Sequence, residues 1–158
     1  MKLVCHAHTK YSYDSMLPFW LLYIRCLNKG ITHITITEHN NLKGALAFKE
    51  YCERKGNKLY VILGEEVMTT AGEIIGLYIN EHIKSGMSPE ETVAEIKRQG
   101  GIVYVPHPYD EKRYKTVLKE SYIEKLQSQI DCIEIHNGRN ISTDYDIKQN
   151  KIAEKYNL

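Results

Sequence analysis

The sequence predicts an α/β fold, a parallel sheet or barrel with its helices on the outside. Two observations carry this. Short apolar runs alternate with longer amphipathic segments along all 158 residues. Most of the amphipathic segments are also closed by a glycine, the usual helix stop signal.

The elements follow in order. Lys2 to Cys5 reads as a buried strand. Pro18 to Lys29 reads as a helix, with Ser15 near its start and Gly30 past its end. His33 to Thr37 alternates β-branched residues as a strand does. Leu42 to Lys55 has helical spacing and stops at Gly56. Lys58 to Met68 and Glu73 to Ile79 are strand-like, joined by a turn at Ala71-Gly72. Ser88-Pro89-Glu90-Glu91 is a helix start with N-cap, first-position proline and capping box, and that helix ends at Gly100-Gly101. Ile102 to Val105 is a strand, Tyr114 to Gln127 mostly helix, Asp131 to Ile135 a strand and Thr143 to Tyr156 a helix.

Composition bounds the function. The hydrophobic fraction is 42% and the charged fraction 26%, values of an ordinary globular chain that forms one domain, residues 1–158. Twenty-one Lys and Arg against 20 Asp and Glu give a net charge of +1, which argues against a broad nucleic-acid surface. There is no signal-peptide pattern and no apolar run of the roughly 20 residues a membrane span needs. Cys5, Cys26, Cys52 and Cys132 have no C-x-x-C spacing and read as small buried hydrophobes in a reducing cytoplasm.

The histidines are where the sequence speaks of chemistry. Five of seven end a predicted strand: His6 and His8 after the first, His39 after the second, His107 and His136 after later ones. Glu65 and Glu66 end the strand between. Spacing of two on a strand end puts His6 and His8 on one face. The C-terminal ends of parallel barrel strands form the active site. Imidazoles and carboxylates converging there are ligands for Zn, Mn or Fe. His33 begins a strand and reads as structural; His82 reads as a surface residue. Tyr11, Tyr13, Tyr104 and Tyr109 lie near these motifs and read as packing residues.

These segments resemble the motifs of one family. His6-Ala7-His8-Thr9 followed by Asp14 resembles the first motif of the PHP (polymerase and histidinol phosphatase) domain. Ile36-Thr37-Glu38-His39-Asn40 resembles the second, Gly64-Glu65-Glu66 its Gly-x-Glu, and Pro106-His107-Pro108 its Pro-His-Pro. Glu134-Ile135-His136-Asn137-Gly138-Arg139-Asn140 resembles the strand end that follows. The matches run in order from residue 6 to residue 140.

The resemblance implies a distorted (β/α)7 barrel and a metal-dependent phosphoesterase with two to three divalent ions. One ion would take His6, His8 and Glu66; a second Asp14 and His39; a third Glu66, His107 and His136. Glu65 would point away, with at most an indirect role. The family closes with an Asp-x-His strand that this sequence does not show, so the barrel is expected to be C-terminally incomplete. An open edge invites a homodimer. Metal-activated water would attack a phosphate mono- or diester, in a small phosphorylated metabolite, a nucleotide or a short oligonucleotide. His6, His8 and Glu66 would form the catalytic core, with Arg113 and Arg139 as phosphate clamps and Lys10 as a weaker candidate. The alternatives are a non-catalytic metal-binding remnant and a C–N amidohydrolase.

Overall fold

The computed structural model describes residues 1–138 and 143–158. Six strands form one curled sheet in sequential order: β1 (Leu3–Val4), β2 (His33–His39), β3 (Tyr60–Thr69), β4 (Gly72–Leu77), β5 (Ile102–Val105) and β6 (Cys132–Ile133). The helices are α1 (Phe19–Asn28), α2 (Lys43–Arg54), α3 (Pro89–Arg98), α4 (Glu120–Leu126) and α5 (Thr143–Tyr156). A seven-strand count goes beyond the described residues.

The sheet is not wholly parallel. β4 runs antiparallel to both β3 and β5, whereas β1–β2, β2–β3 and β5–β6 pair in parallel. The cause is local: only Thr70 and Ala71 join β3 to β4, and a parallel return needs a crossover of a dozen residues or more. Gly72 sits in that turn with φ of 126°, and a Cβ there would collide with the backbone of Leu118. The segment expected to be helical from Tyr114 opens instead as a loop, following a 3₁₀ turn at Glu111–Arg113, and α4 starts only at Glu120.

The main core lies between sheet and helices. Ile34 and Ile36 of β2, Phe48 and Cys52 of α2, and Val93 and Ile96 of α3 are almost wholly buried. Each large apolar side chain so buried contributes roughly 1.5–3 kcal/mol. α3 begins as the sequence predicts: the Ser88 hydroxyl accepts from Glu91 N–H, and the Glu91 carboxylate accepts from Ser88 N–H. No helix among the described residues is long and apolar enough to cross a membrane.

Candidate metal centre

Register decides which acidic residues face each other. In the β2–β3 pair His39 lies beside Glu66, and Glu38 beside Glu65. Partners point to the same side and neighbours alternate. His39 and Glu66 therefore share the concave face, while Glu38 and Glu65 share the opposite one. There Glu38 accepts hydrogen bonds from the N–H and hydroxyl of Thr9 and from the hydroxyl of Ser12. Glu65 accepts from Ile83 N–H at 3.1 Å and lies 2.8 Å from Nδ1 of His82. His33 caps a strand start beside Thr32, outside the cluster.

On the concave face four imidazoles converge on one carboxylate. Glu66 Oε2 lies 3.3 Å from His6 Nε2, 3.2 Å from His8 Nε2 and 3.2 Å from His39 Nδ1. Its Oε1 lies 3.0 Å from His107 Nε2. Glu73 joins them, with one oxygen 3.2 Å from His39 Nδ1 and the other 3.3 Å from His107 Nε2. Asp14 Oδ1 stands 3.6 Å from His39 Nε2 at the rim. Glu66, Glu73 and His107 are at most 1% exposed.

Such burial should push Glu66 toward its neutral form. Its bonds to His107, His6 and His8 outweigh that and hold it well below the usual carboxylate range. Burial likewise opposes charge on His6, but its contacts with Glu134 and Glu66 raise it to about 10. Glu73 is lowered too, burial being outweighed by His107 and His39.

The donor set fits divalent ions. Three imidazole nitrogens crowd one Glu66 oxygen that has two lone pairs. Both Glu73 oxygens and His39 Nδ1 are buried without a hydrogen bond, although Oε1 and Nδ1 stand 3.2 Å apart. Their directions suit neither to donate to the other. Orphaned buried polar atoms cost roughly 1–3 kcal/mol each, and a cation between them would remove that cost. Three groups could hold an ion: His6, His8 and Glu66; His8, Asp14 and His39; His39, Glu66 and Glu73. The mixture of imidazole and carboxylate suits Zn, Mn or Fe.

Six of the seven sequence-derived ligands thus meet: His6, His8, Asp14, His39, Glu66 and His107. His136 does not join them. β6 ends at Ile133, and the His136 side chain is 72% exposed with Nδ1 2.8 Å from Asp146. Beside Glu66 and His107 stands Glu73 instead. Sequence reasoning missed Glu73 because it assumed parallel strands. The reversed β4 pairs Glu73 with Met68 and Ile75 with Glu66, placing Glu73 diagonally from Glu66 on the same face. The two-residue turn was the available signal. Glu134, read as plain strand, was also missed; its Oε1 lies 3.2 Å from His6 Nδ1.

Two cavities open onto the cluster. One, of ≈ 300 Å³, is lined by Asp14, His39 and Glu73 below and by Tyr13, Lys112 and Arg113 above. The other, of ≈ 310 Å³, is lined by His6, His8, Ser15, Asn137 and again Arg113. Arg113 Nε is 3.2 Å from Asp110 Oδ2, which orients the guanidinium. Tyr13 is largely exposed and stacks on His39 at 4.8 Å, so it is a wall of the site and not a core packing residue. Lys10 points elsewhere, over the Phe19 ring. Arg139 lies outside the described residues.

Over 121 residues the chain is 42% identical to uncharacterized protein MJ1587 of Methanocaldococcus jannaschii, covering 69% of this chain and 68% of that protein. A two-domain protein of Bacteroides vulgatus, containing a predicted PHP-like metal-dependent phosphoesterase, superposes with TM-score 0.81 at 19% identity. All of this chain is covered, and 49% of that one. An amidohydrolase of Chromobacterium violaceum, with bound sulfate and no metal, superposes with TM-score 0.75 at 17% identity, covering 100% and 84%. At these identities the two structures speak for the fold. The PHP domain model matches residues 5–157, and the chain belongs to the PHP domain family.

Proposed function

We propose that residues 1–158 act as one PHP domain and hydrolyse phosphate mono- or diesters in a metal-dependent reaction. One observation carries this reading: four imidazoles and Glu73 surround the buried Glu66 carboxylate in an arrangement that hydrogen bonds alone leave unsatisfied. The family and the similar structures support a metal-dependent hydrolase in general terms.

His6, His8 and Glu66 would hold one ion, Asp14 and His39 a second, and Glu66, Glu73 and His107 a third; Zn, Mn and Fe all suit these ligands. When bound, such ions lower the pKa of water and neutralise charge on phosphate oxygens. Arg113 would clamp the phosphate with its guanidinium, since it lines both cavities over the cluster and Asp110 fixes its direction. Tyr13 would flank the leaving group. Arg139 would add a second cation from the segment beyond Gly138.

The substrate would be a small phosphorylated metabolite, a nucleotide or a short oligonucleotide; cavities near 300 Å³ would take an oligonucleotide only by its end. Four free cysteines accord with a cytoplasmic location. The outer edges of β1 and β6 have no strand partner among the described residues, which favours a homodimer there.

The test is turnover of an aryl phosphate monoester and the matching diester with Mn or Zn, beside a His6→Ala/His8→Ala control. Metal-dependent hydrolysis lost in the control would support the reading. Bound metal without turnover of either ester would point instead to a metal-binding domain. Neither metal nor turnover would defeat the proposal.

A further inference from the structure

We propose that Glu134 is a positioning residue that sets the tautomer of His6, so that His6 presents a bare Nε2 to a metal ion. This rests on the metal-dependent reading above.

Glu134 follows β6 directly and is 6% exposed. Each of its oxygens has a fixed task. Oε2 accepts from His107 N–H at 2.6 Å and from the Asn137 side-chain N–H at 2.9 Å. With two donors on one oxygen the carboxylate cannot turn, and Oε1 is left facing His6 Nδ1 at 3.2 Å. A carboxylate oxygen only accepts, so Nδ1 must carry the hydrogen. The neutral ring then has a lone pair on Nε2, which lies 3.0 Å from His8 Nε2 and 3.3 Å from Glu66 Oε2.

His8 is set in the same way by different residues. Its Nδ1 lies 3.1 Å from Ser12 Oγ, and the Ser12 hydroxyl hydrogen is committed to Glu38. Ser12 must therefore accept from His8, leaving His8 Nε2 bare as well. Two nitrogen lone pairs and a carboxylate oxygen then point at one another from about 3 Å. Such an arrangement repels itself unless a proton or a metal ion lies between. Carboxylates that hold the far nitrogen of a ligand histidine commonly matter 10- to 100-fold for metal affinity.

Glu134→Gln makes the point testable because it keeps shape while exchanging one acceptor for a donor. The donors of His107 and Asn137 would hold the amide oxygen. The amide nitrogen would then face His6 Nδ1 and force the ring hydrogen onto Nε2, the ligating position. The experiment titrates metal-free wild type, Glu134→Gln, His6→Ala and the double variant with Zn²⁺ by calorimetry. Nitrogen-15 NMR of the zinc-loaded proteins reads which ring nitrogen of His6 carries hydrogen.

The expected result is 10- to 100-fold weaker zinc binding by Glu134→Gln, with the metal-free protein still folded by circular dichroism. Wild type should show hydrogen on His6 Nδ1, and Glu134→Gln should add nothing on the His6→Ala background. Unchanged zinc affinity with the same His6 tautomer would overturn the role of Glu134 and leave the proposed function standing. An equal loss from Glu134→Gln on the His6→Ala background would also overturn it, because the residue would then act without His6. Failure of the wild type to bind zinc would sink both.

Discussion

Glu66 Oε1 and His107 Nε2 meet at 3.0 Å, 41 residues apart in sequence and both without solvent exposure. A charged carboxylate in that position is stable only when surrounded by donors or cations. It is also the one group that all the nearby imidazoles share. Glu66→Gln keeps the volume but removes the charge and one acceptor. The expected outcome is loss of more than about 100-fold in metal affinity, beyond the range typical of outer partners. Elemental analysis after dialysis against Zn or Mn measures it.

Glu73 should behave differently with and without metal. Its two oxygens lack hydrogen-bond partners while 1% exposed. In the metal-free protein Glu73→Gln removes the anion that His107 and His39 hold charged, and should lower Tm modestly at neutral pH. The same variant should bind less metal per chain. Thermal unfolding in EDTA, set beside metal stoichiometry, separates the two effects.

The histidines make the metal-free protein sensitive to alkali. His6 is raised from 6.5 to about 10, so the protonated form is favoured by folding. That stabilisation is fully present below about pH 6.5 and disappears as pH rises through about 10. Glu66 has the opposite sign: lowered on folding, its contribution is present above about pH 4.5 and is lost as acid protonates it. Tm in EDTA should therefore fall between pH 6.5 and 10. Added zinc should flatten the slope, because the ion replaces the proton as the partner of Glu66. A metal-free Tm that holds steady over this interval would contradict the assignment.

Gly44 reverses an ordinary rule. In a helix Gly→Ala usually stabilises by about 0.5–1 kcal/mol. At Gly44 of α2 a Cβ would lie 2.8 Å from Glu38 Cδ and closer still to its Cγ and Oε1. Glu38 cannot retreat, since it is wholly buried and held by Thr9 and Ser12. Gly44→Ala should destabilise by roughly 1–3 kcal/mol in urea unfolding. Because Ser12 also bonds the His8 ring, metal affinity should fall as well.

Arg113 is expected to act on substrate and not on metal. Its removal forfeits a charge-assisted contact of about 1.5–3 kcal/mol, or roughly 10- to 150-fold in kcat/KM. Arg113→Ala should lower kcat/KM for an aryl phosphate by that factor with metal content unchanged. Arg113→Lys should recover only part, since a point charge cannot form the two-pronged contact.

Much of this site was legible because ligand residues end strands, and strand ends are marked by apolar runs that stop. His6, His8, His39 and His107 could be found that way, and Asp14 and Glu66 by the motifs they belong to. What failed was strand direction. Period-2 patterning shows that Glu73 begins a strand but not that the strand runs backwards, and direction alone brings it to Glu66. His136 lies apart from the cluster for the converse reason: the apolar run through Ile135 outlasts the ladder, which stops at Ile133. Glu134 carries no signal of its own, because its role depends on His6, 128 residues away. The helices α1, α2 and α3 came within a residue or two of expectation, since glycine stops and the Ser88 cap act locally.

The β3–β4 hairpin has a consequence for how the centre comes together. Glu66 and Glu73 are seven residues apart and meet through a two-residue turn, so closing that loop costs little entropy. Joining His6 to the end of β6 means closing a loop of well over a hundred residues, and each doubling of length adds about 0.6 kcal/mol. Hairpins form within roughly 1–10 μs, long before distant strands assemble. During folding the acidic half of the cluster is thus a local structure, and the N-terminal histidines are its late arrivals.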